Sequence, residues 1–217
     1  MEHPHRPTCP QCARPLRTCL CHWVTPVDNV VELLVLQHPL EVQQAKGSAR
    51  LLHLSLGRSR LSTGEQFDAA ALDALLTAED RHSVLLYPED PATGKAVDTQ
   101  AKPVSTACQP ERLRLVVLDG TWRKSRKLLH LNPALQRLPR LALAKPPPSQ
   151  YTIRKAHRPD QLSTLEASCL ALAQLEQAPA RYAPLLQAFG EFVACLADTA
   201  KAGAAASAEV GERHDEV

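Results

Sequence analysis

Aromatic side chains are scarce in this sequence: Phe, Trp and Tyr make up 4% of 217 residues. The core must therefore be built mostly from Leu, Ala and Val, within a hydrophobic share of 44%. No apolar run approaches the ~18–20 residues that span a bilayer, and the opening Met1-Glu2-His3-Pro4-His5-Arg6-Pro7 carries no apolar stretch of the signal-peptide kind. No membrane contact and a cytoplasmic location are the expectation. A charge excess of one sign is lacking as well. The 25 Lys and Arg residues against 23 Asp and Glu leave a net charge of +2. A nucleic-acid partner has to be argued from local clusters instead. Charged residues at 22% argue against wholesale disorder, and no internal repeat is visible. The length suits one domain with a small appendage.

Nearly continuous apolar runs supply the strands. Val30 to Gln37, Ser83 to Tyr87 and Leu113 to Leu118 read as buried strands of a parallel sheet, and Arg140 to Leu143 as a short fourth. Ser48 to Leu56, Ala69 to Ala78, Thr121 to Leu131, Leu162 to Gln177 and Tyr182 to Thr199 read as helices. Lys145-Pro146-Pro147-Pro148 is a rigid loop. Strands alternating with helices predict an α/β fold with a mostly parallel sheet. Ligands of such sheets bind beyond the carboxyl ends of the strands, at a switch in strand order. Residues 1–24 form a separate Pro-, Cys- and Arg-rich knuckle, 25–200 the main domain, and 201–217 a tail expected to fray.

Four of the seven cysteines fall in that knuckle, as Cys9-x2-Cys12-x6-Cys19-x-Cys21. In a reducing compartment this clustering favours a metal over disulfides, and four thiolates suit tetrahedral Zn²⁺. Arg6, Arg14 and Arg17 would offset the thiolate charge and leave a basic face. His5 and His22 are substitute ligands in reserve. Cys108, Cys169 and Cys195 are isolated and read as small buried residues.

The richest segment runs from Leu115 to Lys127. An acid, Asp119, ends a buried strand, Gly120 permits a sharp turn, and Thr121 caps the next helix. That helix opens with Arg123, Lys124, Arg126 and Lys127, of which positions 123, 126 and 127 share a face. Cations at a helix start oppose its dipole, which suggests a phosphate-bearing partner. Arg154, Lys155 and Arg158 form a second basic cluster, to which Arg58 and Arg60 could add. The competing reading makes Asp119 a cap, Trp122 a core anchor and the basic run a solvated face.

Asp119-Gly120-Thr121-Trp122 resembles the signature of the DTW-domain family. Leu36-Gln37-His38-Pro39-Leu40-Glu41 resembles that family's Q-H-P-x-E strand end, Tyr87-Pro88 its second strand end, and Ser163-Thr164-Leu165-Glu166-Ala167 its S-T-x-E-A helix start. The cysteine cluster is similar to that of bacterial members. These blocks run from residue 9 to about 170; Lys46 to Arg50 departs from the Thr-Gly-Arg-like segment of the family.

The resemblance implies a SPOUT-like fold with a C-terminal knot, S-adenosylmethionine as donor and tRNA as acceptor. The implied reaction forms 3-(3-amino-3-carboxypropyl)uridine, at the variable-loop position 47 in bacterial relatives. Asp119 is then the candidate base for the uridine N3 proton. Gln37, His38, Pro39, Tyr87 and Pro88, together with Leu118, Gly120, Thr121 and Trp122, are candidates for the donor site, as are Ser163, Thr164 and Glu166 at the helix start. Arg123, Lys124, Arg126, Lys127, Arg154, Lys155 and Arg158 are the candidates for tRNA. A monomer is the expected state. Two other readings stand beside this one: a SPOUT-type RNA methyltransferase, and a zinc-knuckle RNA-binding protein without catalysis.

Overall fold

The structure, a computed structural model, describes residues 7–44, 47–88, 109–143, 149 and 162–212, with side chains as far as Thr199. Among the described residues one all-parallel sheet has the strand order β2–β1–β4–β3–β5. Its strands are β1 Glu32–Gln37, β2 Ser59–Thr63, β3 His82–Leu86, β4 Leu113–Asp119 and β5 Arg140–Leu141. The helices are α1 Ala49–Ser55, α2 Ala69–Thr77, α3 Trp122–Leu131, α4 Pro133–Gln136, α5 Thr164–Leu175 and α6 Pro179–Glu212.

The two central strands are buried at every residue, and their alternation builds two separate cores. Leu33, Val35, Leu115 and Val117 pack with Leu51 and Leu52 of α1, Leu165 and Leu172 of α5, and Tyr182 and Phe189 of α6. Leu34, Leu36, Val116 and Leu118 face the other way, onto Leu72 and Leu76 of α2, Leu128 of α3 and Leu135 of α4. The result is a sheet covered by helices on both faces, as the continuous apolar runs require. Leu118 lies in this second core, 8% exposed.

Three elements differ from the sequence expectation, one of them the single-turn helix α4. β2 has no counterpart there: Ser-Arg-Leu-Ser-Thr has no apolar run, and the segment becomes a strand by pairing as an edge with β1 from Leu33↔Ser59 to Gln37↔Thr63. The last helix continues as far as Glu212, through the start of the tail expected to fray. The triple-proline loop and the knot implied by the resemblance involve residues outside those described, as do Arg154, Lys155 and Arg158.

A charge pair sits inside the sheet at its amino end. Glu32 and Arg114 are register partners on β1 and β4 and are 4% and 0% exposed. Arg114 Nη2 donates to Glu32 Oε2 at 2.7 Å, and the same guanidinium donates to the carbonyls of Leu76 and Ala78. Arg60 Nε lies 2.6 Å from Glu32 Oε1, a close charge contact that lacks hydrogen-bond alignment. A slip in register would strand both buried charges, so the pair fixes how β1 meets β4.

The knuckle packs onto the first core. Cys9, Cys12 and Leu20 belong to that cluster, and Trp23 meets Phe192 of α6 edge-on at 6.3 Å. Arg14 does not line a basic face: it is 8% exposed and donates to the carbonyls of Gln44 and Gly47 at 2.8 and 3.2 Å. It ties the knuckle to the loop after β1.

Candidate active site at the switch between β1 and β4

Strand order sets the location. α1 leaves β1 along one face of the sheet toward β2, while α3 leaves β4 along the other. The crevice opened by this divergence lies beyond Gln37 and Asp119, which are register partners and the last residues of their strands. This is the switch point at which open α/β sheets bind ligands.

Asp119 is 6% exposed and is held from two sides. Gln37 Nε2 donates to its Oδ2 at 2.8 Å, and Thr164 Oγ1 donates to its Oδ1 at 2.7 Å. Its carbonyl accepts from His38 N at 3.0 Å. Both side-chain donors suit a carboxylate. Thr164 is the first residue of α5, so the carboxylate also lies against the positive end of a helix dipole.

Gly120 follows as the strand turns into α3. A Cβ there would lie 3.0 Å from Lys124 Cβ, so the tight approach of the turn to the first helical turn favours glycine. Thr121 caps α3, its hydroxyl accepting from Lys124 N. Trp122 projects at the rim, 48% exposed, in an edge-on contact with Tyr87 at 6.1 Å. Pro39 and Pro88 are exposed just past the ends of β1 and β3, whereas Tyr87 is mostly buried.

His38 is buried and engaged at both nitrogens. Nδ1 accepts from Leu40 N at 3.2 Å, so the proton sits on Nε2 and points to Glu65 Oε1 at 2.7 Å. Glu65 also pairs with Lys127 at 2.8 Å, and Lys127 and His38 together hold its carboxyl below the usual carboxylate range. Asn132 anchors the same loop: its amide donates to Glu65 O and Leu128 O and accepts from Phe67 N. Glu65 escapes a reading of the sequence because the strand preceding its loop carries no apolar signature.

At the start of α5 the polar groups are largely matched. Ser163 and Glu166 form a reciprocal capping box, with Glu166 N donating to Ser163 Oγ and Ser163 N to Glu166 Oε2. Glu166 also accepts from Ser149 Oγ, and Leu165 N donates to Ser48 Oγ. Within this first turn Thr164 N is the N–H without an intramolecular acceptor among the described residues. Ser163→Ala is expected to cost about 1 kcal/mol, a drop of about 2–4 °C in Tm, measurable by thermal melting.

The basic run of α3 divides in two. Lys124 pairs with Glu41 at 2.8 Å and Lys127 with Glu65. Arg123 and Arg126 are exposed and have no ion-pair partner among the described residues. Arg58 and Arg60 lie far from Asp119, at the amino end of the sheet, where Arg60 pairs with Glu32 and Glu79. A hollow of about 290 Å³ there is lined by Glu32, Arg60, Glu79 and Arg81, whose charges satisfy one another. A second hollow, of about 390 Å³, lies between α2 and α4. Neither includes Asp119.

The four knuckle sulfurs converge. Cys9 Sγ is 3.6 Å from Cys21 Sγ and Cys12 Sγ is 3.8 Å from Cys19 Sγ; all four lie within 4.8 Å of one another. A tetrahedral ion with Zn–S bonds of about 2.3 Å separates its sulfurs by about 3.8 Å. The backbone N–H groups of Cys12 and Gln11 bring Cys9 down to about 6, while burial pushes Cys21 up to about 12. Ala13, at φ 56°, turns the chain around Cys9. His22 is exposed and lies outside the sulfur cluster.

The DTW-domain model matches residues 6–197. The chain belongs to the DTW-domain family. It is 30% identical over 184 residues to the mouse tRNA-uridine aminocarboxypropyltransferase 2, an overlap covering 82% of this chain and 59% of the mouse protein. The Drosophila melanogaster protein of the same name is 32% identical over 183 residues, covering 80% of this chain and 68% of that protein. An Arabidopsis thaliana protein, tRNA-uridine aminocarboxypropyltransferase A, is 26% identical over 148 residues, covering 62% and 54%. The chain thus spans little more than half of the mouse and Arabidopsis relatives. No solved structure matches it.

Proposed function

We propose that this protein transfers the 3-amino-3-carboxypropyl group of S-adenosylmethionine to N3 of a tRNA uridine, the variable-loop uridine at position 47. The observation that carries the reading is the Asp119 carboxylate, buried at the switch point and held by Gln37 and Thr164, within a DTW domain. The names of the relatives supply the reaction.

The donor set fits S-adenosylmethionine. The unmatched Thr164 N–H at the positive end of α5 suits the donor's carboxylate, and the Asp119 carboxylate suits its cationic side. When bound, the donor supplies an electrophilic γ-carbon beside a sulfonium.

Uridine N3 carries a proton and is a poor nucleophile until it loses it. Asp119 accepts that proton as the N3–Cγ bond forms. The Cγ–S bond breaks with its electron pair going to sulfur, and 5′-methylthioadenosine leaves. Gln37 and Thr164 keep the carboxylate oriented through the step, which is catalysis by position and charge. N3 lies on the Watson–Crick edge, so the uridine must be unpaired or turned out.

The accompanying proposals are Zn²⁺ in the Cys9–Cys12–Cys19–Cys21 cluster, a SPOUT-like knotted C-terminal region, a monomer, and a cytoplasmic location. Among the described residues no helix is long and apolar enough to cross a membrane.

Incubating unmodified tRNA with protein and S-adenosylmethionine, followed by nucleoside mass spectrometry, tests the reading. A uridine gaining the aminocarboxypropyl mass is the expected result. A methyl-sized gain would establish the methyltransferase alternative, and no gain would defeat the proposal.

Phosphate binding is assigned to Arg123 and Arg126 first, since both are exposed without an ion-pair partner among the described residues. Arg123→Glu with Arg126→Glu is expected to weaken tRNA binding. The slope of log K against log salt should shrink by about 0.7–0.9 for each phosphate no longer neutralised. Filter binding across salt concentrations measures both effects.

A further inference from the structure

Three side chains come together beside the carboxyl end of β3: Trp122 at the start of α3, Tyr87 just after β3, and Arg140, the first residue of β5. Trp122 stands edge-on to Tyr87, and the Arg140 guanidinium carbon lies 5.3 Å from the centroid of the Tyr87 ring. Arg140 Nε is buried and has no hydrogen-bond partner among the described residues. A guanidinium held over a ring with an unmatched donor is a poor arrangement unless an acceptor completes it.

Trp122 is also open to solvent in a way that a small-molecule pocket wall is not, since such pockets enclose most of their ligand. Leu40 and Val42, exposed at 66% and 51%, lie in the turn tied to α3 by the Glu41–Lys124 ion pair. The exposed indole thus opens α3, the helix that carries the unpaired Arg123 and Arg126.

We infer that Trp122, Tyr87 and Arg140 form the subsite for the acceptor nucleotide, with the unstacked base lying on the indole of Trp122 and Arg140 meeting an adjacent phosphate. The inference rests on the reading that RNA is the acceptor. It moves Trp122 and Tyr87 from the donor site to the RNA and adds Arg140, to which the sequence assigns no role. Every base offers a face for stacking, and a guanidinium supplies paired donors to a phosphate. An extruded base pinned on Trp122 would stand next to Asp119, three residues away along the same turn.

The test is tryptophan fluorescence and binding with a short oligouridylate, followed by full-length tRNA. Oligouridylate is expected to quench fluorescence in the wild type and not in Trp122→Leu. Trp122→Leu should weaken binding about 5- to 150-fold, the range for one stacked base, and Trp122→Tyr should restore most of it. Arg140→Met should weaken binding and reduce the salt slope by about 0.7, with Tm unchanged in each variant. Quenching of Trp122 by S-adenosylmethionine alone, or unchanged RNA binding in folded Trp122→Leu and Arg140→Met, would overturn the subsite. Binding is read without turnover, so the two proposals fail separately. Trp122-dependent quenching without any aminocarboxypropyl product would sink the reaction and leave the subsite. Product formation with variants that bind and react like the wild type would do the reverse.

Discussion

Asp119→Asn is expected to slow aminocarboxypropyl transfer by about 10²–10⁴-fold, the range contributed by a positioned acid or base, while tRNA remains bound. The size follows from what the side chain is asked to do. Asparagine keeps nearly the same shape but cannot take the N3 proton. Its carbonyl oxygen can still accept from Thr164 Oγ1, the contact that Asp119 Oδ1 makes at 2.7 Å. Its NH2 would then face Gln37 Nε2, the donor to Asp119 Oδ2, and the Gln37 amide would have to turn over. Asp119→Ala removes that conflict and serves as the control. Similar losses of kcat in both, with equal tRNA affinity, identify the missing carboxylate as the cause. Single-turnover transfer with saturating S-adenosylmethionine is the measurement. A residual rate within a few-fold of the wild type would remove Asp119 as the base. Thr164→Val separates orientation from proton transfer. It deletes one of the two positioning bonds and leaves the carboxylate, so it should cost less than either Asp119 variant.

The parts of this site legible in the sequence are those carried by strand ends. Buried runs such as Leu-Leu-Val-Leu and Leu-Val-Val-Leu announce central parallel strands, and the residues that follow them, Gln37 and Asp119, must emerge at the same edge of the sheet. The cysteine spacing speaks for itself because chelation is local. What escapes depends on the tertiary fold. β2 has no hydrophobic signature, because an edge strand can be formed by its neighbour's hydrogen bonds. With it goes Glu65, whose role exists only because the loop after β2 passes His38 and Lys127. Thr164 meets Asp119 across a separation of 45 residues, which no periodicity reveals. Glu166 follows a capping-box pattern and does serve as the partner of that cap, and Leu118 ends an apolar run and packs in the core.

On the proposed zinc assignment, removing the metal from the knuckle is expected to destabilise the whole domain. The sulfur cluster is a wall of the main core: Cys9 and Cys12 pack in the same cluster as Leu33, Leu115 and Phe189, and Trp23 meets Phe192. The segment has little else to fold it. Between Pro7 and Trp23 the regular structure consists of two short 3-10 turns and one antiparallel bridge, Thr8↔Pro15. Ala13 holds a left-handed conformation that costs a non-glycine residue about 1–2 kcal/mol. Four thiolates closing on one ion over these few residues would supply what such a segment lacks, since metal binding and folding are one equilibrium in small zinc sites. If the ion contributes even about 3 kcal/mol to the domain, its removal lowers Tm by about 6–12 °C at this size. Cys12→Ser, which deletes one ligand, should behave like chelation. The expected metal content is one zinc per chain, lost with the drop in Tm and restored on adding Zn²⁺. Because Arg14 ties the knuckle to the carbonyls of Gln44 and Gly47, and the Ser48 hydroxyl beside them accepts from Leu165 N, the loss should also reach the α5 start that holds Asp119. Transfer activity should therefore fall below the fraction of protein that remains folded. Purified protein free of metal, with the same Tm before and after chelation and after zinc addition, would refute the assignment.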